Sequence, residues 1–202
     1  MDRRELLKSI AILTGGTLIG GDVLLSSFIN PDRKATGILS MNQVNLLNEM
    51  GETILPTTAK SKGGKAANVG ALINVIITDC YKKNEQAIIL TGLDQFNIDA
   101  LKSMRKPFLT AGKLERHEFL TTLDQEAYDH QKEKRGKNAE IKKSDSKSTP
   151  TENHYFINIK QLILWAYFNS EIGATEALRF ISVPTRFDGC VPYQKGDRSW
   201  YQ

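Results

Sequence analysis

Few side chains in this 202-residue chain could carry chemistry, and they are scattered. The soft ligands are three histidines, His117, His130 and His154, and two cysteines, Cys80 and Cys190. A zinc site needs such residues at short, regular spacings, and none relates these five. Metalloprotease His-Glu-x-x-His, redox Cys-x-x-Cys and hydrolase Gly-x-Ser-x-Gly signatures do not occur in the sequence. Gly63-Gly64-Lys65 resembles the end of a phosphate loop. Ala59 stands where the upstream glycine is required, however, and Ala66 follows the lysine in place of Ser or Thr, so the stretch reads as a flexible loop before a helix. No glycine fingerprint for a dinucleotide follows a strand. Cys190 could become a thiol nucleophile only beside a base or a helix N-terminus, and Asp188 and Gly189 supply neither. Cys80 falls on an apolar helix stripe and reads as a buried, inert thiol. No catalytic residue, metal ligand or bound cofactor is therefore assigned to this chain.

The elements that would position these residues read as helices. Ser40-Met41-Asn42-Gln43 is a capping box, with Leu39 and Val44 placed as a hydrophobic staple. The helix it opens carries Val44, Leu47, Met50 and Ile54 and stops before Pro56. After a loop from Thr57 to Lys65, a second helix places Val69, Leu72, Ile73, Ile76 and Cys80 on one stripe. A third, capped by Asn84, repeats Ile88, Ile89, Leu93, Phe96 and Leu101 until Pro107. A fourth carries Leu114, Phe119, Leu120 and Leu123 and ends near Tyr128. Thr149-Pro150-Thr151-Glu152 signals a restart, with proline at the first helical position. The last helix then runs through Phe156, Ile159, Ile163 and Tyr167 towards Glu171. Beyond Phe180, residues Pro184, Gly189, Pro192 and Gly196 interrupt every period. With no convincing strand and no repeat, the expected class is all-α: a small helical bundle with an extended, irregular C-terminal tail.

Hydrophobic residues make up 40 % of the chain and charged ones 25 %, which excludes a collagen, a wholly disordered chain and a polytopic membrane protein. The formal net charge is +4. From His130 to Pro150 there are seven Lys or Arg against three acidic residues, so this stretch supplies the entire excess. It holds no aromatic residue, and a nucleic-acid partner, which needs basic folded elements with interleaved aromatics, is not expected. With Ile141 almost its only apolar residue, the stretch reads as a disordered insertion at 130–149. It divides one helical domain into a first part, 41–129, and a second, 150–202.

The N-terminus reads as an address. Arg3-Arg4-x-Leu6-Leu7-Lys8 resembles the twin-arginine export motif, ahead of an uncharged run from Ser9 to Gly21. That run is too short to span a bilayer, which needs roughly 20 apolar residues, and fits the apolar core of a signal. Residues 1–30 are therefore taken as an export signal and 31–40 as a linker. An amphipathic first helix with two surface arginines is the alternative. No good cleavage site follows, so a retained signal stays open beside a removed one.

The late block is the most specific. It reads Trp165-Ala-Tyr167-Phe168-Asn-Ser170-Glu171-Ile-Gly173-Ala174-Thr175, then Arg179, then Pro184-Thr-Arg186-Phe187-Asp188-Gly189-Cys190-Val-Pro-Tyr193, with Trp200 near the end. Upstream stand Ile54-Leu55-Pro56 and Gly64-Lys65-Ala66-Ala67-x-Val69. Together these resemble the small, third subunit of membrane-associated gluconate 2-dehydrogenases. The resemblance implies a non-catalytic subunit that binds no cofactor itself. It would lend its export signal to a large FAD-dependent flavoprotein of the glucose-methanol-choline type and stabilise it. A c-type cytochrome with haem c as a third subunit, and a periplasmic location at the cytoplasmic membrane, through the complex or an uncleaved signal, belong to the same expectation. The interface with the large subunit is assigned to Trp165, Tyr167, Phe168, Glu171, Arg179, Arg186, Phe187, Asp188, Cys190, Tyr193 and Trp200. Aromatic and arginine side chains are what such anchors are made of, although packing against the chain's own helices would use the same residues. For Cys190, a large-subunit cysteine, Cys80, a small thiol and simple burial all stay open. A free-standing periplasmic helical binding protein and a self-sufficient enzyme are the other function classes.

Overall fold

The computed structural model describes residues 37–143, 153–183, 185, 190, 192 and 194–201, with only the helix path over 137–143. The export motif at Arg3, Arg4, Leu6, Leu7 and Lys8, and the restart signal at Thr149 to Glu152, lie outside the described residues. Five α-helices are described: α1 (Met41–Ile54), α2 (Val69–Cys80), α3 (Lys83–Met104), α4 (Lys113–Lys143) and α5 (Tyr155–Phe168). A 3-10 turn at Phe108–Thr110 joins α3 to α4, and a π-helical turn at Gly173–Ala177 follows α5. An isolated bridge between Arg179 and Trp200 is the one β-type pairing among the described residues. The all-α class holds.

Helix α5 packs on all four other helices. Its composition requires this: Phe156, Ile159, Leu162, Ile163, Ala166 and Tyr167 are all buried, and a helix apolar on several sides must be surrounded. At the α3–α4 end, Phe96 meets Phe108 and Phe119 edge-on, with centroids 5.2 and 5.5 Å apart. That arrangement suits the ring quadrupoles.

Polar groups close the ends of the bundle. Ser40 and Gln43 form the expected capping box, and Leu39 and Val44 are both buried. The buried Asn74 accepts the Leu39 N–H at 3.0 Å. The buried Gln86 Nε2 donates to the carbonyls of Ile77 (2.9 Å) and Tyr81 (3.1 Å). It thereby satisfies acceptors that the C-terminus of α2 leaves without intrahelical donors. Helices α1 and α2 approach so closely that a Cβ on Gly70 would clash with the Val44 carbonyl.

Several sequence expectations are corrected. The buried stripe of α2 is Val69, Gly70, Ile73, Asn74 and Ile77, so Leu72 and Ile76 are only half-buried and Cys80 is exposed. Apolar residues occupy more than one side of this helix, and periodicity alone could not choose between them. Asn84 is not the cap of α3. Lys82 is, with its N–H bonded to Glu85 at 2.9 Å. Ile88, Leu101 and Leu114 are exposed.

The largest correction concerns the lysine-rich stretch. Helix α4 does not end near Tyr128 but continues to Lys143, so residues 130–143 are helix and not a disordered insertion. Lys, Glu, Gln, Arg and Ala are strong helix formers, and the extension finds a neighbour. His130 lies against His154, with ring centroids 5.8 Å apart, and Lys134 donates to Asn153 at 2.7 Å. Helix α5 accordingly starts at Tyr155, with the His154 side chain accepting the Phe156 N–H.

The loop between α1 and α2 is fixed by a backbone-to-backbone approach. A Cβ on Gly64 would lie 2.5 Å from the Gly51 carbonyl carbon, while Gly64 N–H donates to Leu55 at 2.9 Å. Gly64→Ala is expected to destabilise the chain by about 2–3 kcal/mol through overpacking. Gly136→Ala, with open space around the new methyl, is expected to stabilise it by up to about 1 kcal/mol. Chemical denaturation of the two variants beside the parent measures both.

Candidate docking surface

The two sequence blocks quoted for the resemblance, 54–69 and 165–175, meet at one end of the bundle. The segment from Leu55 to Asn68 folds on Glu52, whose carboxylate accepts the N–H groups of Thr57 (3.0 Å) and Lys65 (3.1 Å). Thr57 Oγ1 accepts the Gly63 N–H at 2.9 Å. From the other side, the buried Tyr167 donates its hydroxyl to the Lys62 carbonyl at 2.8 Å. Tyr167 is thus a core residue that holds the loop, and not the surface anchor expected of it. Its position in the inward stripe of α5 is the physical reason.

The Ser-Glu-x-Gly-Ala-Thr stretch shapes the exit from α5. Ser170 Oγ donates to the Tyr167 carbonyl (2.6 Å) and accepts the Gly173 N–H (3.0 Å). A Cβ on Gly173 would collide with that same carbonyl, so glycine is required. Thr175 Oγ1 donates to the Glu171 carbonyl at 2.7 Å. These bonds set the π-helical turn, a form seen mostly as short segments at functional places. The turn delivers Glu176 to the loop, where its carboxylate accepts the Lys62 N–H at 2.8 Å and pairs with the Lys62 ammonium at 3.2 Å. These two bonds hold the Glu176 carboxyl below the usual carboxylate range.

The tail folds back onto this turn. Arg179 exchanges backbone hydrogen bonds with Ser199 (2.8 Å) and Tyr201 (2.9 Å). Its guanidinium pairs with Asp197 at 2.9 Å and lies 5.5 Å from the Trp200 ring centroid. Arg198 donates to the Glu176 carbonyl at 2.6 Å. Asp197 is held below its ordinary pKa by the Gln194 N–H and by Arg179. Irregular as it is, the tail is pinned by one bridge and a cluster of polar bonds among the described residues.

Pinned in this way, the tail still leaves much apolar surface open. Trp165, Phe180, Ile181, Val183, Trp200 and Tyr201 are all exposed, Val183 at 73 % and Trp165 at 51 %. Tyr201 reaches Asn169 at 3.4 Å, one turn along from Trp165. Trp165 in turn edges a groove of about 660 Å³ walled by Ile76, Ile88 and Tyr81. Of the expected interface residues, Trp165, Glu171, Arg179 and Trp200 lie at this end with side chains at least partly exposed. Phe168 is half-buried, edge-on to Tyr167 at 5.2 Å. Cys190 is exposed and, like Cys80, a free thiol. Arg186, Phe187, Asp188 and Tyr193 lie outside the described residues. Sequence reading missed Lys62, Glu176, Asp197 and Tyr201. Only Glu176 had a signal, as the residue directly after the quoted block.

A buried-edge ion triad stiffens the same loop. Glu49 pairs with Lys65 of the loop and with Arg116 of α4. Arg116 also donates to the Phe108 carbonyl at 2.9 Å. Burial pushes the Glu49 carboxyl up, but hydrogen bonds from Lys65 and Arg116 outweigh it and leave the group below its ordinary 4.5.

Among the described residues no group of three or more His, Cys, Asp or Glu could hold a metal ion, and no helix is long and apolar enough to cross a membrane. What this end of the bundle assembles is a set of exposed aromatic side chains on an all-α fold. Residues 41–185 match the family described as gluconate 2-dehydrogenase subunit 3, and the chain belongs to that family. The family name itself implies partner subunits. The match begins at the first residue of α1 and ends at Thr185, so the likeness of the stretch from Arg186 to Trp200 rests on those residues alone. The searches of curated proteins and of solved structures returned no match.

A carboxyl with a depressed folded pKa binds fewer protons folded than unfolded. The Glu49 contribution is therefore complete above pH 4.5 and is lost as pH falls through its lowered folded value. Thermal unfolding across this range is expected to show a shallower acid-side fall in Tm for Glu49→Gln than for the parent. Equal slopes would show that the triad does not couple to folding.

Proposed function

We propose that this chain is the non-catalytic small subunit of a gluconate 2-dehydrogenase-like complex. It supplies the export signal and stabilises a large FAD-dependent partner of the glucose-methanol-choline type. The observation that carries this reading is the junction where the loop at 55–68, the turn at 170–177 and the tail converge. Lys62, Glu176 and Arg198 are bonded to one another across it, and Trp165, Phe180, Trp200 and Tyr201 stand exposed. An end built in this way has a surface to offer. Exposed apolar patches rimmed by polar residues mark interaction sites.

In this reading the large flavoprotein covers Trp165 and the tail, FAD sits in that partner, and a c-type cytochrome subunit carries electrons onward. The twin-arginine-type leader takes the folded pair through the export machinery to the periplasmic side of the cytoplasmic membrane. One observation favours a free-standing binding protein instead, the groove beside Trp165. That groove is broad and open to solvent, whereas small-ligand sites bury most of their ligand.

Purification of the tagged chain from its native host tests the proposal. A larger yellow flavoprotein is expected to co-purify. Trp200→Ala and Trp165→Ala are each expected to weaken that association by about tenfold or more, the usual cost of truncating an interface tryptophan, with helicity unchanged. A colourless monomer carrying a small ligand would favour the binding protein. Arg3→Lys with Arg4→Lys is expected to strand both subunits in the cytoplasm. Unchanged periplasmic dehydrogenase activity in that double variant would remove the carrier role.

A further inference from the structure

The excess positive charge of the chain lies in the stretch from His130 to Pro150, and two of its cations, Lys132 and Arg135, flank a groove. A groove of about 420 Å³ runs between α4 and α5. Ile157 and Leu164 of α5, both half-buried, line its floor, and Tyr128 stands at its rim with 64 % of its surface exposed. Lys132 and Arg135 of α4 line the same groove, one turn and two turns beyond Tyr128. Among the described residues neither of these cations takes part in an ion pair, whereas Lys160 at the groove is bonded to Asp124 at 2.6 Å. Lys137, Lys142 and Lys143 follow in the same helix.

We infer that this α4–α5 face docks on an anionic phospholipid surface. A groove with an apolar floor, a tyrosine at its rim and two cations that take part in no ion pair among the described residues matches the bilayer interface. There, anionic headgroups and acyl carbon lie a few ångströms apart and tyrosine is enriched. The long stems of Lys132 and Arg135 can lie along the apolar floor while their charged ends reach the headgroups. A nucleic-acid backbone would use the cations and leave the apolar floor uncovered. The charge argument is independent of the partner subunit: seven Lys or Arg against three acidic residues from His130 to Pro150 supply the chain's whole +4. Such a face would hold the assembled complex against the membrane without a spanning segment.

The test uses the purified full chain, sedimented with sucrose-loaded vesicles of phosphatidylcholine alone or with phosphatidylglycerol added. The leader is common to parent and variant, so its own membrane affinity cancels. Each cation near an anionic surface strengthens binding by about fivefold. Lys132→Glu with Arg135→Glu is therefore expected to weaken binding to the anionic vesicles by at least about tenfold. Raised salt is expected to weaken the parent in the same direction, and binding to the neutral vesicles is expected to be equal. Should the reversal lower helicity, Lys132→Gln with Arg135→Gln replaces it and is expected to weaken binding by at least about fivefold. Equal anionic-vesicle binding by parent and folded variant overturns the inference. So does loss of the co-purifying flavoprotein with vesicle binding unchanged, which would make the face a protein contact. No flavoprotein enters the vesicle assay, so its failure leaves the subunit reading untouched.

Discussion

Helix α5 cannot exist in water as it stands, because its apolar residues occupy most of its circumference. Phe156, Ile159, Leu162, Ile163, Ala166 and Tyr167 are buried only because all four other helices pack around it. The order of the chain then matters: 41–143 builds a socket, and the element that fills it comes last. Besides the outer strip at Ile157 and Leu164, such a helix has its two ends to offer. Its N-terminal end lies against the His130 turn of α4. Its C-terminal end carries Trp165 at the mouth of the α2–α3 groove, Tyr167 beneath the loop and Asn169 beneath the tail. The loop and the tail gather at this second end because the chain leaves the socket there.

Legibility in the sequence followed the range of the forces involved. The Ser40 box and its staple were readable because every partner lies within five residues. The stop of α3 before Pro107 was readable for the same reason. The face of α2 was not. Its choice of Ile77 over Ile76 depends on α1 and α5, and a helix apolar on several sides carries no local record of that choice. Helix α4 misled differently. A run of Lys, Glu, Gln and Arg lacks the apolar surface to bury on its own, which argues for disorder, yet the same residues are strong helix formers. The contact of His130 and Lys134 with the start of α5 tips the balance, and nothing in the local sequence announces it. At the C-terminal end of α5, the aromatic character of Trp165 and Trp200 was legible, their exposure only as one of two options. The inward turn of Tyr167 was not, because an aromatic suits a core as well as an interface.

The Ser-Glu-x-Gly-Ala-Thr stretch shows how a motif can look like chemistry and be geometry. Ser170, Gly173 and Thr175 bond to or press against the backbone of the turn they belong to. Their product is the position of Glu176, whose side chain takes the Lys62 end of the loop while its carbonyl takes Arg198 of the tail. One residue therefore fixes both halves of the surface, and neither half can shift without breaking a bond to it. That coupling lowers the ordering entropy left to be lost when a partner binds, which is how pre-organisation raises affinity without adding contacts. Because both acceptor groups sit on a single turn, residues 198–201 are tied to the bundle although the described residues of the tail form only an isolated bridge. Trp200 and Tyr201 are thereby held in place by the bundle itself.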